Sequence, residues 1–230
     1  MIGVFKNIKP SFFPILMGIL ISYGYLKMMG INDLTTMFQT IFGGEPLNGI
    51  MLKGLFIMIF SLLQYINIDY IIFYIDNSDS LSVRYGSKNT WLKALLKGIL
   101  IITAVFVILI YLVWLLLDVA LSSSKVLQSL NINIIVVIGR IYLFCIITIL
   151  VQICLLLMLT KTSTYMIMGG ISIFLAMTSH YKGAFLNILP QFSSPSITLL
   201  NVIVNIVFAL MLVVLIKRIN RKKELSSYEN

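Results

Sequence analysis

The stretch Asp76-Asn77-Ser78-Asp79-Ser80-Leu81-Ser82-Val83-Arg84-Tyr85-Gly86-Ser87-Lys88-Asn89-Thr90-Trp91-Leu92-Lys93 is a polar island between two of the most apolar runs of the chain. The whole sequence has 230 residues, of which 60% are hydrophobic and only 11% charged, with a mean hydropathy of +1.03. A soluble domain carries about 25% charged residues. The runs on either side of the island are long enough to cross a hydrocarbon core of ~30 Å at ~1.5 Å per helical residue. This reads as an all-α, polytopic membrane protein. A transmembrane barrel would show alternating segments of ~10 residues, and none occur. One polar loop in such a chain predicts a segment held out into water.

Working outward, the sequence predicts six spans forming a single transmembrane domain over 1–230: about 12–29, 54–75, 94–117, 133–160, 165–179 and 197–216. Pro14 is tolerated in an opening turn, where its missing N–H has no helical partner. Lys6 and Lys9 before the first run mimic a secretory signal. No small-residue cleavage site follows and the chain re-enters the membrane repeatedly, so a retained span is expected. The fifth span, of ~15 residues, would reach only about 22 Å, too short for the core. The apolar piece 183–190 after it is therefore expected as a short re-entrant or interfacial helix buried by protein. The alternative is a longer fifth span reaching Phe185 with His180 inside it. Gly43-Gly44-Glu45-Pro46 reads as an ordinary turn.

The charges follow the span ends. Lys6, Lys9, Arg84, Lys88, Lys93, Lys97, Lys161, Lys217, Arg218, Arg221, Lys222 and Lys223 fall on one side, against Lys27, Lys53, Lys125 and Lys182 on the other. The positive-inside rule places both termini and the island in the cytoplasm, in a cell (plasma) membrane. The net charge of +9 resides at these boundaries and not in a separate basic domain, which argues against nucleic-acid binding.

Chemistry is sparse. The sequence has no G-x-x-x-x-G-K-[ST] loop and no H-E-x-x-H pair, so the chain is expected to be no enzyme and to hold no metal. His180 is far in sequence from both cysteines, which argues against a Cys–His nucleophile. Cys145 and Cys154, nine residues apart on one helix at ~100° each, face nearly opposite ways and cannot pair. Polar residues inside spans are costly in lipid and carry more weight. Gln64, Asn67 and Asp69 lie on the second span and Arg140 about two turns into the fourth. The depths of Asp69 and Arg140 differ, which argues against a direct pair. Thr198, Asn201 and Asn205 fall within ~60° of one another on the sixth span. With Arg140 they are candidates for a substrate route. Interhelical hydrogen bonding for the stripe, and snorkelling to headgroups for Arg140, are the structural alternatives.

The island carries its own punctuation. Asp76, Asn77 and Ser78 are good N-cap residues, and Gly86 can adopt the left-handed conformation that ends a helix, which predicts a two-turn helix over 79–85. Asn89 or Thr90 can cap the next span. Trp91 fits the interfacial aromatic belt, with Lys93 and Lys97 at the boundary and Tyr70 and Tyr74 matching it on the preceding span. A solvated connecting loop is the alternative.

Six spans in this length, the loop Arg84-Tyr85-Gly86-Ser87-x-x-x-Trp91, a broken fifth segment and a basic tail resemble the small permease subunits of ABC exporters in Gram-positive bacteria. Their relatives serve in bacteriocin or lantibiotic self-immunity and in export of amphipathic peptide toxins. The resemblance covers the whole chain in layout, and its local motif is that loop. It implies a cytoplasmic coupling helix docked in a cleft of a separate ATP-binding subunit, with Ser82, Val83, Arg84, Tyr85 and Gly86 in contact. It also implies ATP and magnesium on that partner, no cofactor in this chain, a second permease subunit (the same or a homologous chain), and a counterpart for 183–190 near the outer gate. Acidic residues are scarce in the loop. A substrate-binding subunit of a vitamin importer and a stand-alone membrane immunity protein are the other readings of such a chain.

Overall fold

The apolar runs fold as helices, the conformation that satisfies every backbone N–H and C=O within one segment when no water is at hand. The computed structural model describes residues 12–32, 34–42, 50–121, 132–178 and 195–228, and these contain no strand. The helices are α1 (Phe12–Met28), α2 (Leu34–Phe42), α3 (Ile50–Asp76), α4 (Ser78–Tyr85), α5 (Lys88–Leu121), α6 (Ile132–Met158), α7 (Lys161–Thr178) and α8 (Pro195–Tyr228). Four of them contain segments long and apolar enough to cross a membrane: Lys53–Asp76, Thr90–Leu121, Ile135–Met158 and Val202–Asn220. Leu16–Met28 is a shorter apolar helix.

Helices α3 and α6 form the centre. Helix α3 packs against α1, α2, α5, α6 and α7, and α6 against α2, α3, α5, α7 and α8. Their apolar segments are 56% and 67% buried, whereas that of α8 is only 11% buried, so α8 lies on the outside with most of its apolar surface open. Phe56 and Phe60 of α3 meet Phe144 of α6 with ring centroids 6.3 and 5.7 Å apart. Such tilted aromatic contacts add to the area they bury.

Three differences from the sequence reading have local causes. Helix α2 falls in a segment read as a connection. Leu34, Met37 and Ile41 form an apolar stripe at helical spacing and are fully buried, packing α2 on α3 and α6. Helix α5 has 34 residues, about 50 Å at 1.5 Å each, and overruns the expected 94–117 at both ends. Helix α7 begins before Tyr165 because Thr160 caps it: the Ser163 N–H donates to Thr160 Oγ1 at 3.3 Å. The helix ends at Thr178, next to the expected limit, while His180 and the 183–190 piece lie outside the described residues.

Near the end of the bundle that carries α4, Gly98 of α5 lets α3 approach closely. A Cβ there would overlap the Tyr70 hydroxyl and stand 2.5 Å from the ring carbon bearing it. Gly98→Ala should therefore destabilise the fold by about 1–3 kcal/mol through overpacking, although alanine is intrinsically the better helix former by about 1 kcal/mol. Thermal unfolding in detergent checks this. In a Tyr70→Ala background the same change should cost nothing, which isolates the contact.

Candidate functional site

Helix α4 emerges from the end of α3 without the capping the island's residues suggested. Asn77 occupies the N-cap position but makes no side-chain cap bond. Its Nδ2 turns back to donate to Phe73 O at 2.8 Å, closing the end of α3. Gly86 ends the helix in the left-handed region at φ +74°, its N–H donating to Val83 O at 3.2 Å. A residue with a Cβ would be strained there. The next helix is capped by Ser87, whose Oγ accepts from the Thr90 N–H at 3.2 Å and pairs with the Thr90 hydroxyl. Neither Asn89 nor Thr90 is the cap.

Three contacts hold α4 and the two helix ends that it joins. Leu81 packs onto the hydrophobic core. The Tyr85 phenol lies beside that of Tyr74 at the end of α3, and the Tyr70 and Tyr74 rings lie 4.8 Å apart. The neighbouring Tyr74 phenol holds the Tyr85 phenol above its usual pKa, with a smaller contribution from burial. Trp91, 2% exposed, donates from its indole nitrogen to Tyr74 O at 3.1 Å. It is thus a bolt between α3 and α5 rather than a member of a lipid-facing belt.

With Leu81 turned to the bundle, the opposite face of α4 points away. Val83 is 83% exposed, Arg84 and Gly86 are exposed beside it, and Tyr85 is partly open at the edge next to Tyr74. Ser82 lies on the same helix, with its side chain outside those described. The expected contact residues therefore lie on one short helix and its C-cap.

The expected substrate-route residues are less concentrated. Arg140 is 6% exposed, within the bundle rather than snorkelling out of it. Asn205 of α8 is also buried, and α8 packs closely along α6, which carries Arg140. Thr198 and Asn201 lie on α8 with side chains outside those described, as does that of Asp69 on α3.

Sequence reasoning missed a polar lock at the other end of α5. Lys27 Nζ of α1 pairs with Asp118 Oδ1 of α5 at 2.6 Å, and the Tyr23 hydroxyl donates to the same oxygen at 3.2 Å. One turn further in, the Trp114 indole N–H donates to Ile19 O at 3.1 Å. Tyr23 and Lys27 on one helix, and Trp114 and Asp118 on the other, are each four residues apart and so share a face. The available signal was Asp118 itself, a carboxylate in an apolar run near a helix C-terminus, where the macrodipole disfavours it unless a cation is near. In the sequence Lys27 reads only as a span-end charge that sets sidedness. Asp118→Asn should cost about 1–3 kcal/mol, because Lys27 keeps its charge without the carboxylate. The double variant Lys27→Met/Asp118→Leu should recover most of the loss in thermal unfolding.

No protein-family model, curated protein or solved structure matches the chain.

Proposed function

We propose that the chain is the membrane permease subunit of an ABC exporter for hydrophobic or amphipathic peptides. A separate ATP-binding subunit would bind ATP and magnesium and dock on α4. In this reading α1, α3, α5, α6, α7 and α8 are the six spans, and a second permease subunit completes the pathway. The observation that carries the proposal is the mounting of α4. A two-turn polar helix needs no buried tryptophan, core-seated leucine and left-handed glycine merely to connect two spans. Those contacts suit a helix that transmits force, because Leu81 seats it on the core and Trp91 ties the ends of α3 and α5 on either side of it. The basic residues flanking this end support its cytoplasmic placement, where ATP is available. Arg140 and Asn205 are the described polar residues proposed to line the route, with Thr198 and Asn201 continuing it along α8.

The test is to substitute Arg84→Ala with Tyr85→Ala in cells that carry the complete exporter. Peptide efflux should be lost while the chain still inserts and accumulates normally. Unchanged efflux would remove α4 from the mechanism.

A further inference from the structure

We propose that Gln64, Asn67 and Gln152 bind one internal water molecule where the middle of α3 crosses α6. Asn67 Nδ2 donates to Leu63 O at 2.9 Å, and Gln152 Nε2 donates to Gln64 O at 3.3 Å. Both acceptors are carbonyls, so each amide must face them through its nitrogen, which fixes the orientation of both groups. Leu63 and Gln64 are consecutive residues of one helical turn. The two amides therefore reach neighbouring carbonyls of α3, one from α3 itself and the other across from α6.

That arrangement leaves two oxygens and one nitrogen over. Asn67 Oδ1, Gln152 Oε1 and Gln64 Nε2 are buried with no hydrogen-bond partner among the described residues. Their side chains belong to residues only 0–5% exposed, within the core of the bundle. Buried polar atoms of this kind are as a rule satisfied by protein or by ordered water. The chemistry selects the ligand. Two acceptors beside one donor match a molecule that gives two protons and accepts one, which is water. A cation would suit the two oxygens but would meet the hydrogens of the Gln64 amide. An anion would meet the oxygens. The bound water bridges α3 to α6 at mid-length, and the inference is independent of the transport proposal.

The direct test is the structure of the full-length protein in nanodiscs at a resolution that shows ordered waters. One peak within hydrogen-bond distance of all three atoms is expected. Gln64 Nε2 turned directly onto Asn67 Oδ1 or Gln152 Oε1, with no peak between them, would overturn the proposal. Unfolding provides a second measurement. Asn67→Leu and Gln152→Leu should each lower the melting temperature, whereas the triple variant Gln64→Leu/Asn67→Leu/Gln152→Leu should recover most of the loss. Losses that simply add would contradict a shared water.

Discussion

Replacing Trp91 with alanine is expected to destabilise the protein by about 3–5 kcal/mol, the range for removing a large buried aromatic. Trp91 is 2% exposed and is among the largest fully enclosed side chains of the described core. It also supplies the hydrogen bond to Tyr74 O that ties the start of α5 to the end of α3. Both losses fall where α4 is attached. The variant should therefore melt at lower temperature and also become sensitive to proteolysis between 76 and 91. Trp91→Phe separates the two contributions, since it keeps most of the packing and loses the indole N–H. It should cost about 1–2 kcal/mol, combining a hydrogen bond with a small volume change. A Trp91→Ala protein that melts like the original would mean the ring faces lipid after all.

The second large effect concerns the open face of α4. Val83→Asp with Arg84→Glu changes two exposed residues and none of the three contacts that mount the helix. The stability of the isolated chain should stay within about 0.5 kcal/mol, as for surface substitutions elsewhere. Affinity for the proposed ATP-binding subunit should fall by roughly thirtyfold or more, corresponding to about 2 kcal/mol at a binding hot spot. Reversing the charge at Arg84 adds repulsion if the docking cleft is acidic, and the variant should then respond oppositely to salt. Titrating the purified motor against the two forms in nanodiscs measures both effects. Equal affinity would mean that the motor, if there is one, docks elsewhere.

The sequence made some of this legible and concealed the rest for definable reasons. Helix α4 was readable because its signals are local: a polar run, an apolar residue at Leu81 and a glycine at its end. The bounds expected, 79–85, differ from Ser78–Tyr85 by one residue. Helix α2 was also readable in principle, since Leu34, Met37 and Ile41 repeat at helical spacing, but a short amphipathic piece between long apolar runs is easily taken for a connection. The Lys27–Asp118 lock was not readable as a pair. Its partners are 91 residues apart, and only the packing of α1 on α5 brings them together. The direction of Trp91 was hidden likewise. A tryptophan near a helix end fits a lipid boundary and a protein interior equally well until the neighbouring helix is in place. The same holds for Gln64, Asn67 and Gln152, whose meeting depends on the crossing of α3 and α6.

These observations give the α4 proposal its form, in which Leu81 and Trp91 hold the helix while Val83 and Arg84 face outward for a partner. The most direct measurement is purification of the tagged chain from its native membrane, with ATP hydrolysis followed through the final column. The account predicts an ATPase that co-elutes with the chain and is lost from the folded Val83→Asp/Arg84→Glu form. A native preparation with no associated ATP hydrolysis, or an ATPase that remains bound to that variant, would contradict it.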